Sequence, residues 1–179
     1  ELRAQVQHII AAYRQPALVE EFIAGREVTV GVIGNEDPHV LPPLEVDLSP
    51  VPSERGVYTN YIKLEVPLAP RYLCPAPLST LQWLFLRKVC LKAYRVLGCL
   101  DVCRFDFRLG KGGFYLLEAN PLPGLTPGYS DLVTEAQADG MDHPTLINTI
   151  LNLALARYGM PTVPERAAKA APQRLQASA

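Results

Sequence analysis

Residues Leu100 to Gly128, LDVCRFDFRLGKGGFYLLEANPLPGLTPG, decide how this chain is read. Apolar and polar residues alternate on both sides of Gly-Lys-Gly-Gly, which predicts a strand, a tight turn, a second strand and then a Pro/Gly-rich loop. Successive side chains of a strand point to opposite faces, so Arg104, Asp106 and Arg108 share one face of the first strand, and Leu116, Glu118 and Asn120 share one face of the second. A register that sets Asp106 against Glu118 also sets Arg104 against Asn120 and leaves a three-residue loop, Lys111-Gly112-Gly113. Two carboxylates and an amide then converge. Like charges that close repel and raise one pKa unless a cation intervenes, and three hard oxygen ligands suit Mg²⁺ or Mn²⁺ rather than zinc.

Around that hairpin, 179 residues can bury one good core, and 49% apolar with 20% charged residues is ordinary for a globular domain. A net charge of −1 leaves no electrostatic footprint for nucleic acid or an anionic membrane. With no apolar run of spanning length and no signal-like start, the expected location is the cytoplasm. Cys74, Cys90, Cys99 and Cys103 lack CxxC spacing and nearby histidines and read as free thiols, largely buried.

In chain order, Leu2 to Tyr13 has the spacing of a helix stopped by Pro16. Ala17 to Phe22 and Arg26 to Ile33 read as paired strands joined through Ala24-Gly25, with Glu27, Thr29 and Gly31 facing opposite to Val28, Val30 and Val32. His39 to Leu48 is β-like, and Pro42-Pro43 makes it an edge strand or a bulged segment. Ser49 to Arg71 gives mixed signals. Leu78 to Leu97 is a long helix closed by Gly98, with Lys88, Lys92 and Arg95 as its solvated stripe. Leu81, Trp83, Leu84, Phe85 and Leu86 cover more than one helical face, so part of that surface is expected to meet a second subunit or another domain. Ser130 to Ala138 is a short helix. Asp142 to Tyr158 is the final one, capped by Asp142, with Leu146, Ile147, Ile150, Leu151 and Leu155 as its apolar stripe and Gly159 as its end. Residues 161–179 read as a mobile tail after a domain of residues 1–160.

The blocks ALVEEFIAGREVTVGVIG, YLCPAPL and GCLDVCRFDFRL…GFYLLEANPLPGLTPGYSDL, in that order, resemble the carboxy-terminal part of D-alanine:D-alanine ligase-like ATP-grasp enzymes. The resemblance runs from about Ala17 to Gly159. It implies an α+β fold of ATP-grasp type, with a largely antiparallel sheet packed against helices. It also implies ATP-dependent joining of a carboxylate to an amine through an acyl-phosphate, with two Mg²⁺ ions, or Mn²⁺ in their place, and small amino-acid or carboxylate substrates.

Residue by residue, the resemblance makes Asp106, Glu118 and Asn120 magnesium ligands; without it they are a solvated hairpin face. Arg104 matches the arginine that holds the transferred phosphate and the oxyanion, against the plainer reading of a cross-strand ion-pair partner. Gly124 matches a position whose backbone N–H faces the oxyanion, and is otherwise a turn glycine. Glu20 would accept from the adenine amino group, backbone groups of Glu21, Phe22 and Ile23 would pair the ring edge, and Glu27 would take the ribose hydroxyls. Leu117 would pack on the base; read without the family it is core. Lys63 is placed like a phosphate-contacting lysine, in a stretch whose length departs from the family pattern. Tyr129, followed by Ser130, stands where many true D-alanine ligases carry a substrate-contacting serine.

An amino-terminal substrate domain, a strand lysine and a Gly/Ser-rich loop that closes over the phosphates are absent from these residues. The expectation is therefore about half an active site, either the ATP-binding portion of a ligase or a non-catalytic nucleotide-binding or interaction module that keeps the fold.

Overall fold

A computed structural model describes residues 1–49 and 70–164. The chain runs α1 (Leu2–Tyr13), β1 (Arg26–Ile33), β2 (His39–Val40), β3 (Leu44–Asp47), β4 (Arg71–Leu73), α2 (Thr80–Val96), β5 (Val102–Gly110), β6 (Gly113–Asn120), α3 (Asp131–Ala138) and α4 (His143–Arg157). The strands form one sheet in the order β4-β3-β1-β5-β6, with β2 also on β1. Every pairing is antiparallel. This is the α+β arrangement expected from the sequence.

Alternation along β1 separates two cores. Val28, Val30 and Val32 meet Phe105 and Phe107 of β5 on one face, where Leu86, Cys90 and Tyr94 of α2 cover them. These helical residues are spaced four apart and so present one stripe to the sheet. The helix starts at a reciprocal capping box: Ser79 Oγ accepts from Gln82 N at 3.2 Å and Gln82 Oε1 accepts from Ser79 N at 2.9 Å. Gly98, with φ of 66°, ends it. Tyr94 donates its hydroxyl to Gly34 O at 2.8 Å, which satisfies a buried polar group at the far end of the stripe.

The other face is covered by α3 and α4. Leu132, Val133 and Ala136 pack with Leu146, Leu41, Ile33 and Val102. Asp142 caps α4 by accepting from Thr145 N at 2.9 Å. Gly31 lets α3 lie close to the sheet: a Cβ there would stand 2.4 Å from Leu132 Cδ1 and 2.7 Å from Glu135 Oε2. Gly31→Ala is expected to cost about 1–3 kcal/mol by overpacking. A denaturant midpoint indistinguishable from wild type would show that α3 can move away freely.

Several expectations are corrected. Ala17 to Phe22 forms no strand; both sides of β1 are already taken, by β2 and β3 on one side and β5 on the other, so no ladder is left for it. Leu18, Val19 and Phe22 are exposed accordingly. The prolines do interrupt His39 to Leu48, giving β2 and β3, but β3 is not the edge because β4 pairs outside it. The hairpin loop has two residues, Lys111 and Gly112, since Gly110 pairs with Gly113.

Trp83 packs on the α2 core and Phe85 stacks on Phe114 at 6.3 Å, whereas Leu81, Leu84 and much of Phe85 stay exposed. In α4, Leu151 leaves the apolar stripe and is exposed, while Ile150 and Leu153 pack on the core. The first tail residues are docked rather than loose: Val163 N donates to Asn152 Oδ1 at 2.7 Å and Asn152 Nδ2 donates to Val163 O at 2.9 Å. Residues 165–179 lie outside the described residues. The cysteines are free, with Cys90 and Cys103 buried and Cys74 and Cys99 half-buried. Among the described residues no helix is long and apolar enough to cross a membrane.

Candidate active site

The face of β5 that meets α3 carries three rows of polar side chains. Register fixes them: Glu27 opposite Arg108, Thr29 opposite Asp106 and Gly31 opposite Arg104 on the β1 side, then Asp106 opposite Glu118 and Arg104 opposite Asn120 on the β6 side. From the Arg108 row to the Arg104 row is four residues, about 13 Å along the strand. The site is therefore a line of charge on a rigid sheet.

The register slips between Asp106 and Phe107, so that Phe107 faces Leu116 and Leu117 is the extra residue. This bulge moves Leu116 off the carboxylate face, contrary to the alternation read from sequence. Leu117 is 49% exposed and so is not core. Bulges of this kind re-aim side chains next to functional sites.

In the middle row, Asp106 and Glu118 face the same side and interact directly. The hydrogen bond that a protonated Glu118 donates to the Asp106 carboxylate is the main cause of a raised Glu118 pKa, with burial and the charge of Asp106 adding to it and Arg104 opposing. Two carboxylates this close repel, and a cation beside them relieves the repulsion. Arg104 offsets part of that charge: Nε and NH2 donate to Asp106 Oδ1 and Oδ2 at 2.7 Å each. Its NH1 lies 3.4 Å from Asp131 Oδ2. Burial alone would lower the Arg104 pKa, but the hydrogen bonds and charge of Asp106, then Asp131 and Glu135, hold it above its ordinary value.

Asp131 and Glu135 were not singled out by the sequence reading. They sit one turn apart on α3, among Leu132, Val133 and Ala136, and both are buried. A pair of acids four apart inside an otherwise apolar helical stripe was the available signal. Glu135 Oε1 accepts from Thr29 Oγ1 at 2.6 Å. Burial first, and the charge of Asp131, push its carboxyl up to about 8 against the opposing pull of Thr29, Arg104 and the Gly31 backbone.

Asn120 Oδ1 accepts from Leu122 N at 3.0 Å, so the amide also shapes the turn into the Pro/Gly loop. Within that loop Gly124 runs against Ser130, where a Cβ would stand 2.8 Å from Oγ. Ser130 Oγ in turn accepts from Thr126 N at 2.9 Å. The glycine thus has a packing reason besides any chemical one. His143 Nε2 contacts Leu125 O at 2.9 Å and ties the loop to α4. Tyr129 is exposed.

At the other end, Glu27 Oε2 lies 3.0 Å from Arg108 NH2, and Arg108 NH1 donates to Gly25 O at 3.0 Å. The Arg108 guanidinium stands 5.5 Å from the centre of the Phe22 ring. Phe22 is thereby brought to the Arg108 end; its neighbours Glu20, Glu21 and Ile23 lie on the same irregular segment, with Glu20 and Glu21 exposed. Lys63 lies outside the described residues.

The donor set fits a hard divalent cation: two carboxylates and an amide on one face, one carboxyl already raised by its neighbour, and no histidine or thiol among them. Among the described residues, no three His, Cys, Asp or Glu side chains form a ready-made cage. Asp106 would have to yield its bonds to Arg104 to serve.

Against known proteins, the sequence model of the family described as D-ala D-ala ligase C-terminus matches residues 1–152. The chain belongs to that family. It is 36% identical over 159 residues to a protein of Sinorhizobium fredii called uncharacterized protein y4sG, covering 88% of this chain and 46% of that one. It is 35% identical over 158 residues to a D-alanine--D-alanine ligase of Desulfotalea psychrophila, covering 88% and 48%. The chain therefore spans about half the length of these relatives. The fold also matches the D-alanine--D-alanine ligase of Bacillus anthracis complexed with ATP, with a TM-score of 0.66 at 20% identity, covering 89% of this chain and 48% of that one. A second structure of the Bacillus anthracis ligase gives 0.68 at 21% identity, covering 89% and 49%. The family match begins at residue 1 and so takes in α1, ahead of the blocks that carried the resemblance.

Proposed function

We propose that residues 1–160 are the ATP- and metal-binding portion of an ATP-dependent ligase that joins a carboxylate to an amine. The observation that supports this best is the convergence of Arg104, Asp106, Glu118 and Asn120 on one face of the family hairpin. In this reading Asp106, Glu118 and Asn120 hold two Mg²⁺ ions, or Mn²⁺. Bound there, the metal would neutralise phosphate charge during phosphoryl transfer.

Arg104 offers the reacting phosphate a planar, permanently charged fork. The Gly124 backbone N–H is placed in the loop beyond Asn120 and would face the oxyanion of the acyl-phosphate reaction. At the opposite end of the sheet face, Glu20 and the backbone of Glu21, Phe22 and Ile23 receive the adenine, Leu117 packs on it and Glu27 binds the ribose. The last role requires Glu27 to share or leave Arg108, its partner at 3.0 Å. Lys63 would contact a phosphate. The substrates are small amino acids or other carboxylates and amines, and Leu81, Leu84 and Phe85 offer a surface for a second subunit or a further domain.

Positioning of nucleotide and acceptor in line accounts for much of such catalysis, and the lysine, closing loop and substrate domain of a complete ligase are not among these residues. Residues 1–179 alone are therefore expected to bind Mg-ATP weakly and to release no amino-acid-dependent ADP. Calorimetry with Mg-ATP and a coupled ADP assay test the two halves. No nucleotide binding at millimolar concentration would overturn the nucleotide reading, and sustained amino-acid-dependent turnover would overturn the half-site reading.

A further inference from the structure

Arg104 is gripped from two sides. On the hairpin side Asp106 takes its Nε and NH2 in a bidentate pair at 2.7 Å each. On the helix side NH1 faces Asp131 Oδ2 at 3.4 Å, too long for a good hydrogen bond. The two carboxylates differ in what fixes them. Asp106, on β5, stands opposite Glu118 of β6, whereas Asp131 is held in the first turn of α3, with its side chain 5% exposed.

A guanidinium has five N–H donors on three edges, so the edge spent on Asp106 does not exclude a hold on NH1. If the Asp106 oxygens turn to a divalent cation, Arg104 loses its bidentate partner. Its position then depends on the carboxylate that remains.

We propose that Asp131 is a positioning residue for Arg104: it retains the guanidinium from the α3 side when Asp106 turns to a divalent cation, leaving the Nε/NH2 edge free for a nucleotide phosphate. This rests on the reading of Asp106 as a metal ligand and of Arg104 as the phosphate-binding group. Asp131 acts through Arg104 and need not touch the nucleotide. Glu135, one turn further on and bonded to Thr29, holds the same helical face against the sheet.

The test uses the whole chain, with Mn²⁺ binding read by electron paramagnetic resonance and ATP binding read by calorimetry with and without Mg²⁺. Asp131→Asn is expected to leave Mn²⁺ affinity within about threefold, because Asp106, Glu118 and Asn120 are untouched. It is expected to weaken Mg-dependent ATP binding by about 10-fold or more, the scale of one charge-assisted contact. In an Arg104→Gln background the same substitution should cost nothing further, which a merely structural role for Asp131 would not produce. Asp131→Ser, which keeps a helix-starting side chain without the charge, serves should the asparagine variant fold poorly.

ATP affinity unchanged in Asp131→Asn, or an equal loss with and without Arg104, overturns the positioning role while leaving the proposed function standing. Failure of the wild-type chain to show Mn²⁺ binding and Mg-dependent ATP binding overturns both.

Discussion

In a complete enzyme that carries this sequence, Glu118→Gln lowers kcat about 100-fold or more and barely changes the thermal midpoint. The asymmetry follows from where Glu118 sits. Its side chain is exposed on the carboxylate face of β6, so the substitution removes no core contact. The fold loses a repulsive neighbour of Asp106, since Glu118 is a carboxyl whose pKa that neighbour raises. On the proposed function the reaction, by contrast, would lose one of two anionic ligands for the metal that offsets charge developing on the transferred phosphate, and removing a single electrostatic contributor of that kind typically costs 10²–10³ in rate. A fall in kcat with an unchanged melting curve is the expected pair of results. Near-normal turnover in the variant would remove Glu118 from the metal site.

The hairpin was legible because its signal is local. Alternation over Val102–Gly110 and Gly113–Asn120, with glycines at the turn, fixes faces and pairing without knowledge of the rest of the chain. The bulge at Leu117 was not legible, since a one-residue slip costs little in a sequence where Tyr115, Leu116 and Leu117 can each face either way. Helix α2 announced itself through its long apolar run closed by Gly98, and α4 through Asp142 at its start and Gly159 at its end, whereas the Ser79–Gln82 capping box was a signal left unread.

The segment Ala17 to Phe22 misled for the opposite reason. Its β-like residues are real, but a strand also needs an open ladder beside it, and β1 has none to give. Within the site, Arg104, Asp106, Glu118 and Asn120 followed from period and register, while Asp131 and Glu135 reach it only through the docking of α3 on β1, a contact between residues about a hundred positions apart. No local pattern states that Thr29 will meet Glu135.

That buried pair gives the second large effect. Glu135 is fully buried, with its carboxyl pushed up to about 8 by burial first and by Asp131, against an ordinary value of 4.5. A carboxyl whose pKa is raised on folding binds more protons in the folded than in the unfolded chain between those two values. Stability therefore falls as pH rises through this window, is highest with respect to this group below about 4.5, and has lost its full increment above about 8. At about 1.4 kcal/mol per unit the ceiling is roughly 5 kcal/mol, and relaxation of the site will reduce it. Glu135→Gln stays neutral throughout and its amide oxygen can still accept from Thr29, so the variant should show a flatter dependence of urea midpoint on pH. Its amide N–H groups need partners where Oε2 now lies against Gly31, a cost present at every pH. The slope, rather than the stability at one pH, is therefore the readout. Between pH 5 and 8.5 the wild type is expected to lose about 2 kcal/mol or more relative to the variant. Parallel curves for the two proteins would mean that Glu135 is ionised in the fold and that Arg104, rather than burial, sets its charge.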